Sequence, residues 1–162
     1  MTAGAREPWY RRTGRGALAG VVATVAMSAA QFPGASAGGK YPPPVEITRR
    51  LNRLTGRRPS RGSLFAQGIA LHLAFGAAAG ALYALVAPRR LREISATAYA
   101  AMLYGASYRG YLPALGLHPS GEHDDTTRQA SNVAGHVIYG LTLAEALRLT
   151  EPAHDPRPPS DT

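Results

Sequence analysis

Two histidines are the residues best suited to chemistry, because each lies inside a long apolar segment. His72 lies within residues 63–87 and His136 within residues 131–149. Polar side chains in such segments usually turn inward to a partner. Imidazoles titrate near neutral pH and also ligate metals, so the pair could relay protons along a pathway or bind a metal. Each could equally be structural, bonded to a backbone carbonyl or a tyrosine hydroxyl that fixes the helix register. The same pathway would include two tyrosines, Tyr104 and Tyr139.

The sequence predicts no catalytic residue, cofactor or metal site on these helices. Glu145, the nearest carboxylate on the helix of His136, lies about 13 Å further along the axis, too far to share one metal. The chain has no cysteine, which excludes thiolate chemistry and disulfides. One alternative is a loop site in a membrane-bound enzyme or accessory subunit. That loop, His118–Asp125, contains His118, His123, Asp124 and Asp125.

Four apolar segments predict the elements that would position the histidines: residues 17–32, 63–87, 94–112 and 131–149. A helix needs about 20 apolar residues to cross a bilayer. We therefore expect an all-α polytopic membrane protein, a four-helix bundle with four transmembrane helices. Residues 45–58 place Ile47, Leu51 and Leu54 on one helical face and arginines on the rest, which predicts a short amphipathic helix in the membrane interface.

The charge distribution favours a lipid partner over a nucleic acid. The chain has 18 Lys+Arg and 10 Asp+Glu, a formal net charge of +8. Its arginines cluster outside the apolar segments, whereas a nucleic-acid-binding domain would interleave them with its core elements. We expect the lipid bilayer as partner and no nucleic acid. The expected organisation is a basic leader (1–15), a single helical membrane domain (16–150) and a disordered C-terminal tail (151–162).

Arginine placement also predicts the orientation, because cytoplasmic loops retain positive charge. The leader and the turn at residues 89–92 place both termini in the cytoplasm of a multi-pass protein of the bacterial inner membrane. The loop at residues 40–61 contradicts this unless its helix lies on lipid phosphates or the first segment does not span. The first segment also fits a cleaved signal peptide ending at Ala35-Ser36-Ala37, which would leave a soluble helical bundle.

Small residues at four-residue spacing predict close helix packing in lipid. The motif His72-x-x-Phe75-Gly76 recurs as His136-x-x-Tyr139-Gly140, so the chain could consist of two helical hairpins related by duplication. The expected helix-packing residues are Gly16, Gly20, Gly76, Gly80 and Gly140.

Loose motifs of small and aromatic residues extend from about residue 15 to residue 149. They are Arg15-Gly16-x-x-Ala19-Gly20-x-x-Ala23-Thr24-x-x-Met27, the turn Pro42–Pro44, His72-x-x-Phe75-Gly76 followed by Gly80-x-x-Tyr83, Tyr104-Gly105, and His136-x-x-Tyr139-Gly140. On these features the chain resembles the YagU-like family of small bacterial inner-membrane proteins. The resemblance implies a polytopic membrane protein, and it implies no reaction, cofactor or catalytic residue.

Together these features predict a non-enzymatic integral membrane protein with a structural, envelope-maintenance or permeation-related role. The chain could also form a homo-oligomer. A permeation pathway requires both histidines to face one water-accessible cavity. The enzyme alternative instead requires the side chains of His118–Asp125 to converge on a pocket.

Overall fold

The computed structural model describes residues 7–35, 41–87, 92–117 and 126–151. These residues form no strand, and the prediction of an all-α fold is confirmed for them. Their five helices are α1 (Trp9–Ala35), α2 (Pro43–Leu54), α3 (Arg61–Val86), α4 (Arg92–Tyr104) and α5 (Thr126–Leu149). The start of the predicted leader, the acidic loop at 118–125 and the predicted tail beyond residue 151 lie outside the described residues.

Local sequence sets several of the helix ends. Pro43 and Pro44 occupy the first turn of α2, where no backbone N–H is needed for an intrahelical bond. The chain leaves α2 through Gly56, whose φ of +69° is the left-handed conformation that favours glycine. Ser60 caps α3, because its side chain accepts a hydrogen bond from the backbone N–H of Ser63 at 3.3 Å. These caps satisfy backbone groups that would otherwise lack a helical partner.

The predicted third span, residues 94–112, is not one regular α-helix. After α4 the backbone widens into a π-helical segment, Gly105–Tyr111, followed by a single α-helical turn, Leu112–Ala114. Gly110 lies within this segment with φ −106° and ψ −106°, outside the helical region. Glycine tolerates such a conformation because it has no Cβ. The helical path of this span is therefore interrupted shortly before its end.

The described helices pack with α1 in the middle. α1 runs along both α3 and α5, α5 also packs on α4, and α2 packs on α3. The starts of α1 and α4 and the ends of α3 and α5 meet at one end of the bundle, which we call the arginine end. Three side-chain bonds hold it together: Arg12 Nη2 to the Ala87 carbonyl oxygen (3.3 Å), Arg15 Nη1 to that of Thr150 (2.8 Å), and Arg92 Nη2 to the Glu151 carboxylate (2.7 Å).

Alanines and polar residues are prominent among the side chains buried between these helices, beside a few large ones such as Tyr83, Tyr139, Leu143 and Leu147, whereas many other large apolar side chains face outward. The buried set includes seven alanines, Ala19, Ala23, Ala79, Ala84, Ala96, Ala100 and Ala144. The buried polar side chains include Thr24, Gln31 and Asn132. Exposed apolar side chains occur on all four long helices, for example Leu18, Leu82, Ile94 and Leu141. A water-soluble domain usually buries most of its large apolar residues, and here many of them lie on the outer surface.

Among the described residues, one helix is long and apolar enough by itself to cross a membrane, and that helix is α3. Only 28% of the most apolar 18-residue stretch of α3 is buried inside the chain. The core helix of a water-soluble protein would bury most of such a stretch. The same criteria of length and composition do not select the other three predicted spans among the described residues.

The short helix α2 packs on α3 through a face that the sequence pattern did not predict. Its buried residues are Val45, Thr48 and Asn52, and the Asn52 Nδ2 donates to Gln67 Oε1 of α3 at 2.8 Å. Leu51 and Leu54, which the pattern placed on the apolar face, are exposed. The face that packs on α3 does so through Val45, which lies against Gly68, and through Asn52, and it leaves the face of Leu51 and Leu54 uncovered.

Candidate functional site

The structure brings the two histidines to one cavity of about 280 Å³. His72 reaches it from the middle of α3 and His136 from the first half of α5. The start of α2 and the π-helical segment supply further walls. Apolar side chains make up most of the lining, among them Met27, Ile47, Leu71, Phe75 and Leu112. The cavity lies in the half of the bundle away from the arginine end.

The polar groups of this cavity are linked to one another through Asn132. His136 Nδ1 lies 2.7 Å from the backbone oxygen of Asn132, and Gln31 Nε2 donates to Asn132 Oδ1 at 3.3 Å. A carbonyl oxygen only accepts, so the proton of His136 is on Nδ1 and Nε2 keeps a lone pair when the ring is neutral. Asn132 is 7% exposed, and its Nδ2 has no acceptor among the described residues.

His72 lies between this cavity and a second one of about 340 Å³. The second cavity lies between α1, the start of α2 and α3, and His72 and Gln31 line both. His72 Nδ1 is 3.4 Å from Ser28 Oγ on α1, a long contact that leaves the ring weakly held. His72 therefore lines both cavities and has one polar contact, the Ser28 hydroxyl.

The two tyrosines of the predicted pathway have different surroundings. The Tyr104 ring packs edge-on against His136 with 5.1 Å between centroids, and it stacks on Tyr108 at 5.2 Å. The Tyr139 hydroxyl instead donates to the carbonyl oxygen of Gly76 at 3.0 Å, and Tyr139 is buried. The Tyr104 ring thus packs against the His136 ring, while the Tyr139 hydroxyl joins α5 to α3 outside the lining of the cavity.

The predicted packing glycines meet at two helix contacts. Gly16 and Gly20 of α1 face Gly76 and Gly80 of α3 so closely that an added Cβ at any of the four would overlap backbone or side-chain atoms. A Cβ at Gly140 of α5 would lie 2.7 Å from the Thr97 Cα of α4. Gly76 and Gly140, which correspond in the repeated motif, therefore face α1 and α4 respectively.

The repeated motif differs at its aromatic position. Tyr139 is buried, whereas the corresponding Phe75 is 44% exposed and lines the cavity. The two hairpins, α1 with α3 and α4 with α5, are thus alike in their glycine contacts and unlike in their aromatic side chains. Among the residues that the structure describes, only the second hairpin contains a π-helical segment, Gly105–Tyr111.

Within the described part of the chain, no group of three or more His, Asp or Glu side chains converges on a metal position. The loop His118–Asp125 of the enzyme alternative lies outside the described residues. What the cavity offers chemically is hydrogen bonding: two imidazoles, two amides and the hydroxyl-bearing residues Ser107, Tyr108 and Tyr111 in a mostly apolar lining. Such an arrangement is typical of binding sites with a few polar groups that orient a ligand.

Gln31 and Asn132 are site residues that the sequence reasoning did not select. Gln31 is the one strongly polar side chain in the apolar run of α1, a type of residue that usually turns inward. Asn132 precedes His136 by one helical turn and so shares its face. These two signals could have identified both residues. Their pairing across 101 positions could not be read from the sequence.

Comparisons with protein-family models, with curated proteins and with solved structures give no match.

Proposed function

We propose that this chain is an integral membrane protein that binds a small molecule in the His72–His136 cavity. In this proposal α1, α3, α4 and α5 cross the bilayer. The main support is the side-chain distribution: seven buried residues are alanines, and many of the large apolar side chains lie on the outer surfaces of the helices. Lipid-facing helices require such an outer surface, because lipid tails are as apolar as leucine.

The outer surfaces of the two flanking helices illustrate the pattern. On α1, Leu18 is 70% exposed, and Val22 and Val25 follow along the same side. On α5, Val133, Val137 and Leu141 recur every fourth residue and are all exposed. Moving one such side chain from water to an apolar environment is worth roughly 1.5–3 kcal/mol. A bilayer supplies this stabilisation to every helix of the bundle at once.

The lengths of α1, α3 and α5 agree with a spanning arrangement, whereas α4, with 13 residues, can span only together with the π-helical segment and the turn that follow it. α1 has 27 residues, α3 has 26 and α5 has 24. At 1.5 Å per residue these helices are about 36–40 Å long, more than the roughly 30 Å of a hydrocarbon core. The proposed orientation places the arginine end in the cytoplasm, since Arg12, Arg15 and Arg92 meet there with the ends of the chain's first and last helices.

The short helix α2 fits a position in the opposite interface. Leu51 and Leu54 are exposed although Thr48 and Asn52 are buried, so the outward face of α2 is suited to lipid. Arg53 and the arginines that follow it are exposed and can bind lipid phosphates. This placement accounts for the positive charge that the loop carries on the non-cytoplasmic side.

A binding role has more support than a continuous pathway. The half of the bundle next to the arginine end is filled by the glycine contacts and by Tyr83, Leu143 and Leu147, all buried. The cavity at that end measures about 20 Å³, room for roughly one water molecule. A permeation role remains the second candidate, favoured by the two imidazoles at one cavity, and it requires the α1–α3 glycine contacts to separate.

The proposal is tested on the natural chain, whose lack of cysteine makes every introduced thiol unambiguous. Gly14→Cys lies near the arginine end, Gly62→Cys near α2, and Val137→Cys on the outer surface of α5. With a membrane-impermeant maleimide we expect Gly62→Cys to react in intact spheroplasts and Gly14→Cys only in inverted vesicles. Val137→Cys should react only after detergent is added.

A carbonate wash and the mass of the mature chain complete the test. A four-span protein stays in the carbonate pellet and keeps its N-terminal residues. Release into the supernatant, or labelling of Gly14→Cys and Gly62→Cys from the same side, would overturn the spanning arrangement. A mature chain that begins after residue 37 would instead show a cleaved signal peptide.

A further inference from the structure

The second cavity, between α1, the start of α2 and α3, is the starting observation. Its volume of about 340 Å³ is within the range of small-molecule sites. Its lining in the described chain is mostly apolar and contains no Asp, Glu, Lys or Arg. Val25 of α1 and Ile69 of α3 belong to this lining and are 56% and 58% exposed, so the cavity is open at the outer surface between these two helices. In the spanning arrangement proposed above, that opening faces lipid tails.

The polar side chains of this lining do not require a polar ligand. His72 Nδ1 contacts Ser28 Oγ at 3.4 Å, and Gln31 Nε2 donates to Asn132 Oδ1. No fully buried side-chain nitrogen or oxygen of the described lining lacks a hydrogen-bond partner. An occupant therefore needs no polar atom inside the cavity. A hydrocarbon chain has none to leave unsatisfied there, whereas a charged group would be buried without a counter-charge.

Arg61 begins the stripe of α3 that lines the cavity. The lining residues Phe65, Ile69 and His72 follow it at spacings of four, four and three residues, which places all four along one face of the helix. At 1.5 Å per residue, His72 is about 17 Å from Arg61 along the axis. One leaflet contributes about 15 Å, half of the hydrocarbon core. The stripe thus covers the depth that an acyl chain occupies below a headgroup at Arg61.

Arg61 belongs to a cluster of three exposed arginines, Arg57, Arg58 and Arg61, which we call the α2–α3 arginines. Consecutive Cα atoms are 3.8 Å apart, so the three Cα atoms lie within about 15 Å of one another. Their side chains have no hydrogen bond or ion pair to any described residue. Glu46, the acidic residue of α2, is paired within its own helix. The three guanidinium groups are therefore available to an anion, and guanidinium binds phosphate through two parallel hydrogen bonds.

We propose that the second cavity binds one acyl chain of an anionic phospholipid whose phosphate lies at the α2–α3 arginines. This inference rests on the proposed spanning arrangement, and it adds a lipid site in the leaflet away from the arginine end. The arginines select a lipid with net negative charge, and the opening at the outer surface admits its chain from the bilayer. A free phosphate ion would use the arginines alone, and a second copy of this chain would use the opening alone. The test separates these occupants.

The test measures lipid retention by the full natural chain in detergent micelles, using native mass spectrometry. Anionic phosphatidylglycerol and zwitterionic phosphatidylcholine with the same acyl chains are added at equal concentration. We expect phosphatidylglycerol to be retained at least tenfold better, an effect of about 1.4 kcal/mol that two arginines can supply at about 1 kcal/mol each. Equal retention of the two lipids would overturn the proposal. Displacement of the bound lipid by glycerol phosphate, which has no acyl chain, would show a phosphate site without a chain and would also overturn it.

Arginine variants test the headgroup contact. Arg61→Gln should weaken the retention of phosphatidylglycerol about fivefold, the effect of one arginine at a lipid surface. The matched control is Arg11→Gln, which removes an exposed arginine at the arginine end and should leave retention unchanged. If both variants weaken retention alike, the lipid responds to the net charge of the protein rather than to the α2–α3 arginines, and the headgroup assignment is wrong.

Tryptophan variants test the chain contact. Val25→Trp places an indole ring at the opening and should lower retention about tenfold. Val22→Trp on the same helix is a matched control, because Val22 is 53% exposed but does not line the cavity. Undiminished retention by Val25→Trp would refute the chain assignment, and so would a dimer mass that appears as the lipid leaves. These results leave the membrane topology intact, because carbonate extraction and thiol labelling test it separately.

Discussion

Gly20 is the position at which one added methyl group tests the fold most directly. An ideal Cβ there would overlap the carbonyl oxygen of Gly76, and it would lie 3.0 Å from the Gly76 carbonyl carbon and 3.1 Å from Gly80 Cα. These are backbone atoms of α3 and cannot rotate away. Because carbon atoms pack at about 3.5–4.0 Å, Gly20→Ala must move α1 and α3 apart by about 1 Å.

Two effects of opposite sign determine the size of the change. Alanine is favoured over glycine inside a helix by about 0.8–1.0 kcal/mol. Overpacking an interface usually costs about 1–3 kcal/mol, and the adjoining contact between Gly16 and Gly80 widens at the same time. We expect a net loss of about 1–2 kcal/mol for Gly20→Ala. Gly14→Ala on the same helix has no atom within 4 Å of its Cβ. It should therefore keep the helix-forming gain and be stabilised by about 0.5–1 kcal/mol.

The assay is reversible unfolding in mixed detergent and SDS micelles, followed by circular dichroism. The two variants should shift the midpoint in opposite directions from the natural chain. If Gly20→Ala and Gly14→Ala shift it alike, α1 and α3 are not in backbone contact, and the packing described for this bundle is wrong.

Two further changes probe other contacts. Tyr139→Phe removes a buried hydroxyl that donates at 3.0 Å to an α3 carbonyl oxygen, and it should lower stability by about 0.6–1.5 kcal/mol in the same assay. The control Tyr104→Phe keeps its ring contacts and should lower stability less. Equal losses for the two variants would contradict this assignment. Burial raises the pKa of Glu46, but the hydrogen bonds and charges of Arg49 and Arg50 lower it more, so the net pKa is below its usual 4.5. The ionised carboxylate therefore stabilises α2 fully above the usual pKa of 4.5, and this stabilisation is lost as the pH falls through the lowered pKa. Hydrogen exchange in α2 should accelerate on acidification, by an amount equivalent to about 0.5–1 kcal/mol, and Glu46→Gln should abolish this acceleration.

The sequence was sufficient to predict the helical fold because the relevant signals are local. Apolar runs, the prolines at the start of α2 and the four-residue glycine spacing are all visible within a turn or two. The interruption at Gly105–Tyr111 was less accessible. Its two glycines are a weak signal, because α1 and α3 also contain glycines, and only the φ and ψ of Gly110 in the folded chain show where the helix is broken. Similarly, the buried face of α2 depends on Gln67, which belongs to another helix.

The candidate site was predictable in part for the same reason. A histidine inside an apolar segment is a local signal, and it selected both His72 and His136. Whether the two histidines line the same cavity depends on how the helices pack. In this fold α1 packs between α3 and α5, which are distant from each other in sequence. The bond from Gln31 to Asn132 joins the first and last helices, so it depends on tertiary structure. The hydrogen-bonding character of the cavity follows from that bond and from the His136 tautomer, and neither is encoded in residue spacing.

The close packing near the arginine end and the cavity beyond it arise from one change in side-chain size along the bundle. From the arginine end as far as Gly76 and Gly140, the residues that face a neighbouring helix are mostly glycine or alanine, and the helix backbones touch. Beyond them the facing positions include Gln31, His72 and Asn132, whose side chains are too long for backbone contact. The helices there are held by side-chain bonds, so this half is the less tightly packed one. A ligand bound in this cavity binds only the folded arrangement and stabilises it by mass action. Such a ligand should therefore slow hydrogen exchange around the cavity more than at the arginine end. Uniform slowing of both halves would mean that the ligand acts on the bilayer rather than at this site.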